Sequence, residues 1–202
     1  MVRTQRLSAE ERRVQILEAA LDEFADKGFN GARTKKIARR AGISETLIYQ
    51  HFATKEALYH AAHDHLYSLH PMHDDMRDPM ASNDDAALLE AVALHMLHHS
   101  REDPRIIRLH LYDALSPDAG RSNAEYGKHN SEHALAAYFQ RRMNEGAFAP
   151  GDPTFAARLY HYMVFMAIAD GHLGLFGAPM NKDDGELART LSRAFLEGHL
   201  AR

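Results

Sequence analysis

The stretch from Thr34 to Lys55, TKKIARRAGISETLIYQHFATK, restricts the fold more than any other part of the chain. Ile37, Ala38 and Ala41 give its first half an apolar helical face, and Gly42 follows where a left-handed residue would end that helix. Ser44 can then cap a second helix, because its hydroxyl accepts one of the N–H groups that a helix start leaves without partners. Two short helices around a glycine turn of this length predict a helix-turn-helix.

The second of these helices has two unlike sides. At about 100° per residue, Ile48 and Phe52 share the side that points into a core. Thr46 and Gln50 lie opposite them, flanked by Leu47 and Tyr49, with Glu45 in the first turn. A hydroxyl, an amide, a methyl-bearing side chain and a phenol are groups that read base edges and hold phosphates. A plainer reading stands beside this one. Thr46 and Gln50 also suit a solvated helix face, Tyr49 a half-buried ring beside Phe52, and Glu45 a complement to the helix dipole.

Charge favours the first reading. Lys35, Lys36, Arg39, Arg40 and Lys55 stand in the stretch against one acid, Glu45. A helix that enters a DNA groove needs basic flanks, since phosphate neutralisation supplies most of the sequence-independent affinity. The formal net charge of -4 hides a division along the chain. Residues 1–60 carry 11 Lys/Arg against 8 Asp/Glu, and the remainder carries 13 against 20. The front third therefore suits a polyanion and the rest does not.

The rest reads as helix throughout. Ser8-Ala-Glu-Glu11 is a capping box, and Val14, Leu17, Leu21 and Phe24 make the buried stripe of the helix it opens, up to Gly28. Thr54 opens another, carrying Leu58, Ala61, Ala62, His65, Leu66 and Leu69 and fading near Pro71. Residues 70–85, with Pro71, Pro79 and several aspartates, are expected to be a mobile loop. Helical patterns resume at 85–99, after Asp103-Pro104, over about 122–145 to Gly146, after Asp152-Pro153 to about 175, and finally through Leu187, Leu191, Phe195 and Leu196. The helix after Pro153 is apolar nearly all round from Tyr162 to Ala169, so it must be covered on several sides, and a second subunit is a natural cover. No alternating strand pattern occurs. The predicted fold is all-α, with about nine helices.

Several function classes fall away. There is no cysteine, which excludes disulfides and thiolate metal sites. The first residues, MVRTQRLSAEERR, lack the apolar core of a signal peptide, and the run from Tyr162 to Ala169 is too short to span a bilayer. A cytoplasmic protein with no membrane partner is expected. Neither a glycine-rich phosphate loop nor a nucleophile elbow is present, so no enzyme and no cofactor are expected. The 15 histidines include two i, i+4 pairs, His95/His99 and His129/His133, which leave open an alternative: a His-rich helical metal-binding or stress-interaction protein. With no Cys and no carboxylate partner at a matching spacing, the expected metal set is none.

Six ordered elements resemble the N-terminal domain of TetR-type transcriptional regulators. They are Arg13-x-x-Ile16-Leu17-x-Ala19-Ala20, Phe24-x-x-x-Gly28, Thr34-x-x-Ile37-Ala38, Ala41-Gly42-Ile43-Ser44, Tyr49-x-His51-Phe52 and Lys55-Glu56-x-Leu58. The resemblance covers about Ser8 to Tyr59 and implies a three-helix DNA-binding head, residues 1–53, on a ligand-binding and dimerisation body, residues 54–202. It puts Thr34, Tyr49, His51 and Lys55 on phosphates, to which Lys35, Lys36 and Ser44 are added, and Glu45, Thr46, Leu47 and Gln50 near bases. Leu47 departs from the small or polar residue expected there. The implied protein is a ligand-responsive regulator, a repressor, that binds a palindromic operator on double-stranded DNA as a homodimer and is released by a small, largely apolar effector. Candidates for the effector pocket are Tyr67, Leu94, His98, Tyr112, Tyr138, Met143, Tyr162 and Met166, each of which also suits an ordinary core. Candidates for the subunit interface are Phe165, Ile168, Leu191 and Phe195.

Overall fold

The computed structural model describes residues 7–69, 71–115, 131–175, 177 and 182–200. Among them are ten α-helices and no strand, one helix more than expected. In chain order they are α1 (Ala9–Gly31), α2 (Thr34–Arg40), α3 (Glu45–His51), α4 (Lys55–Ser68), α5 (His73–Ser82), α6 (Asp85–Glu102), α7 (Arg105–Leu115), α8 (Ser131–Asn144), α9 (Pro153–Leu173) and α10 (Asp184–His199). Residues 122–130 of the helix expected from 122 onward, and with them His129, lie outside the described residues.

The caps stand where the sequence puts them. Ser8 and Glu11 form the reciprocal capping box of α1, Ser44 accepts from Leu47 N, Thr54 from Ala57 N, and Asp152 from Thr154 N and Phe155 N ahead of Pro153. Each of these side chains relieves N–H groups that the helix itself cannot satisfy. α7 starts at Arg105, one residue past the proline expected to open it.

The chain packs as two compact units, one of residues 1–70 and 105–126, the other of residues 71–104 and 127–202. In the first, α4 and α7 pack on α1 with the head helices. Its core runs through Ile16, Leu21, Phe24, Ile37, Ile48, Phe52, Leu58, Leu66 and Leu109. Val14, expected inside, is exposed at the outer margin of its helical stripe, and Leu69 is exposed because α4 ends before it, leaving it as the C-cap residue. At Gly28 the backbone takes φ 65°, and a Cβ there would lie 2.7 Å from the Tyr112 ring of α7. Only glycine allows both the left-handed turn and that approach.

In the second unit, α6 packs against α5, α9 and α10, and α8 against α9. Phe139, Phe148, Tyr160 and Phe195 form its aromatic centre, with Phe139 and Phe195 stacked at 5.6 Å. Tyr160 spends its hydroxyl on Leu89 O (2.6 Å) and Ser192 Oγ (2.8 Å). The stretch 70–85, read as a loop, instead contains α5. Pro79 lacks one helical N–H, but buried Met76 and the Asp75 carboxylate, 2.7 Å from His95 Nδ1 of α6, hold the short helix in place. Asn83, left-handed at φ 58°, ends it, and Asp84 caps α6.

Candidate nucleic-acid interface

The turn between α2 and α3 is built by hydrogen bonds that only a left-handed Gly42 permits. Ile43 N donates to Ala38 O (3.0 Å) and Gly42 N to Arg39 O (3.2 Å), which closes the C-terminus of α2 as a Schellman motif. The two helices are thereby set at an angle that sinks Ile37, Ile48 and Phe52 into the core. The guanidinium of Arg13 lies 4.6 Å from the centre of the Phe52 ring and closes that end of α3 from the α1 side.

With the apolar side of α3 anchored, its other side faces water. Thr46, Tyr49 and Gln50 are exposed, Tyr49 by 46%, while Glu45, Leu47 and His51 are half-buried. Lys35, Lys36 and Arg39 on α2 are exposed as well. Three features were not visible in the sequence. Thr34 Oγ1 donates to Glu45 Oε1 and lies 3.3 Å from the Tyr49 hydroxyl, so three of the expected DNA-contacting side chains form one cluster. Lys55 Nζ sits 4.5 Å from the centre of the Phe29 ring, and partial burial holds its pKa below the ordinary lysine value. Finally, Arg40 pairs with Asp22 (3.2 Å) and Asp26 (3.7 Å) of α1. The same two acids take Arg105 and Arg108 of α7, so Arg40 is less available to a phosphate than its position in the basic run suggests. These partners lie far apart in sequence, and no local pattern signals them.

The expected pocket residues are divided between the two units. Tyr67 and Tyr112 belong to the first unit, where their hydroxyls meet His110 Nε2 (2.8 Å) and Asp26 O (3.0 Å). In the second unit Leu94, His98, Tyr162 and Met166 open to solvent, Met143 is half-buried, and Tyr138 is buried on Asp85 (2.5 Å). Long side chains at helical spacing mark faces, and only packing decides which faces meet. The interface candidates need a similar correction. Ile168 lies in the protomer's own core, as does Phe195 at 2% exposure, so neither has surface left for a partner, whereas Phe165 and Leu191 are half-buried. Among the described residues no three His, Asp or Glu side chains form a group that could hold a metal ion, and no helix is long and apolar enough to cross a membrane.

A three-helix head whose last helix shows solvent a polar side between basic flanks defines a DNA-binding protein of the helix-turn-helix class. Residues 16–62 match the model of bacterial regulatory proteins of the tetR family, and residues 88–198 match that of the AefR-like transcriptional repressor C-terminal domain. The chain belongs to the TetR family of transcriptional regulators, which are not enzymes. It is 48% identical over 57 residues to the transcriptional activator FasR of Mycolicibacterium smegmatis, covering 28% of this chain and 26% of that protein. To the transcriptional regulator RutR of Escherichia coli K12 it is 37% identical over 105 residues, covering 50% of this chain and 47% of that one. The matched region thus spans less than half of either relative. The fold is that of the fatty acid degradation regulator FadR from Bacillus halodurans (TM-score 0.73, 18% identity, 92% of this chain and 98% of that one).

Proposed function

We propose that this regulator binds a palindromic operator as a homodimer, represses from it, and is released by a small, largely apolar effector. The observation that carries the reading is the division of α3 between a core-locked side, Ile48 and Phe52, and a solvent side, Thr46, Tyr49 and Gln50, beside Lys35, Lys36 and Arg39. In this reading residues 1–53 are the DNA-binding head and residues 54–202 the ligand-binding and dimerisation body, working in the cytoplasm. Thr46, Leu47, Gln50 and Glu45 stand near bases. Thr34, Lys35, Lys36, Ser44, Tyr49, His51 and Lys55 stand at phosphates, with Ser44 offering whatever its cap bond leaves. Repression accords with the AefR-like repressor model over residues 88–198. The effector rests on the family, whose members typically take small molecules, rather than on a cavity.

A second copy has an apolar surface to cover. Phe155, Tyr162, Met166 and Leu173 are exposed on α9, Phe155 by 63% and Tyr162 by 57%. At about 100° per residue they fall within roughly 20° of one line, opposite Ile168. We assign the subunit contact to this stripe, with Phe165 at its margin. Tyr162 and Met166 then serve dimerisation rather than the pocket. Effector binding would shift the population of head spacings through α4, which grips α1 by the Tyr59–Phe24 ring contact (4.8 Å) and the His65–Glu18 bond (2.8 Å). A coupling of ~1–3 kcal/mol suffices for a switch.

The test is selection of bound fragments from random duplex DNA. The expected product is a palindrome with half-sites about one helical turn (~34 Å) or a multiple apart. A selected site without two-fold symmetry would remove the homodimeric reading. Tyr162→Glu with Met166→Glu should give a monomer in sedimentation, and a particle still of dimer mass would refute the assigned stripe.

A further inference from the structure

The cluster of Thr34, Glu45 and Tyr49 carries a consequence for selectivity, which rests on the DNA-reading role of α3 proposed above. Thr34 opens α2, and Glu45 and Tyr49 stand one turn apart on α3, so the turn between the helices brings all three side chains together. The Thr34 hydroxyl has one hydrogen, and it is given to the Glu45 carboxylate. A phosphate oxygen is an acceptor only. It cannot be bound by Thr34 while that hydrogen is spent, and the carboxylate beside it adds like-charge repulsion. In the free protein, therefore, one of the expected phosphate contacts is closed by one of the expected base contacts.

We propose that Glu45 is a specificity-determining latch, which leaves Thr34 when a base edge in the major groove offers a hydrogen-bond donor, and so lets a phosphate seat on Thr34 and Tyr49 only at a site with that base. The donor best matched to a carboxylate is the N4 amino group of cytosine. Guanine and thymine present acceptors at the corresponding edge and repel it. At such a site Glu45 keeps the Thr34 hydrogen, the phosphate stays unbound, and the penalty is counted twice. The latch separates sequences by refusing the wrong ones more than by gripping the right one, which is how specificity arises from unpaired groups.

The experiment uses the full-length protein and duplexes recovered by selection with the wild type, together with a random-sequence duplex pool, at one salt concentration. The wild-type selection should hold a cytosine at one position of each half-site, and selection with Glu45→Gln should lose it. Glu45→Gln should bind the random pool roughly tenfold more tightly, the size of one typical mismatch penalty removed. Loss of a negative charge near DNA would itself raise affinity, so Glu56→Gln, at an exposed acid on α4, sets that baseline. In a Thr34→Val background the gain from Glu45→Gln should fall to the Glu56→Gln baseline, since the hydroxyl that the latch guards is gone. An undiminished gain in that background, or a selected site with the same base preference for wild type and Glu45→Gln, would overturn the latch while leaving DNA reading by α3 intact. A wild type that selects no sequence at all would overturn both.

Discussion

Two clusters, each with a tyrosine and a carboxylate, sit in the first unit and behave as opposites. Thr34, Glu45 and Tyr49 lie at the surface of α2 and α3, whereas Tyr59, His63 and Asp113 lie between α4 and α7. Tyr49 is 46% exposed and Tyr59 only 3%. The Tyr59 hydroxyl donates to Asp113 Oδ1, and His63 Nε2 lies 3.8 Å from Asp113 Oδ2. At the surface water can replace any lost partner, so the bonds there are cheap to exchange and suit a face that must accept DNA. In the interior each lost bond leaves a desolvated polar atom, and the cluster acts as structure. The chemistry of a side chain is thus decided by burial before it is decided by type.

The contrast is broken most directly by Asp113→Ala. It removes the acceptor of a buried hydroxyl and should lower unfolding stability by about 3 kcal/mol, read from the urea midpoint. A loss below about 1 kcal/mol would show that water reaches the cluster and that the two regions do not differ as described.

Acid should weaken the buried cluster. Burial, aided by His110 and His60, pushes His63 down to about 3 from the ordinary 6.5, so the unfolded chain takes up the proton first. The stability due to neutral His63 is therefore complete above pH 6.5 and is lost as pH falls toward 3. The slope approaches ~1.4 kcal/mol per pH unit, or about 2 kcal/mol between pH 6.5 and 4.5. His161 in the second unit, also lowered by burial, contributes in the same direction. His63→Gln should flatten this part of the profile. Stability lost instead as pH rises through 6.5 would mean that Asp113 holds a proton on His63.

On the surface side, Gln50→Ala should cost roughly 1–2 kcal/mol of preference for the selected site over random DNA and leave the fold unchanged. Lys55→Ala should weaken all sequences alike and reduce the slope of log affinity against log salt by about one. Equal losses on selected and random DNA for both variants would erase the division between base and phosphate contacts. The smallest effect sharpens the comparison. Tyr49→Phe should change stability by less than about 0.5 kcal/mol in the same urea titration that registers Asp113→Ala.

Much of the head is legible from local signals. Gly42, Ser44 and Thr54 act within a few residues of themselves, and the structure uses each as read. α5 was hidden because Pro79 and the aspartates near it signal a break, while the contacts that sustain the helix come from α6. Which apolar residues of α9 face outward is hidden for a related reason. Tyr162 and Met166 carry the same apolar mark as Ile168, but the first two face outward and the third faces the core.

The sequence by itself determined that the chain is helical, where most helices begin and end, and which face of α3 turns outward, because caps and periodicity act over one or two turns. Tertiary structure alone decided that Glu45 holds the Thr34 hydroxyl, that Arg40 is drawn to Asp22 and Asp26, and that an apolar stripe on α9 stays open. Those outcomes depend on which helices meet and at what angle, a property of the whole core that no short window of residues contains.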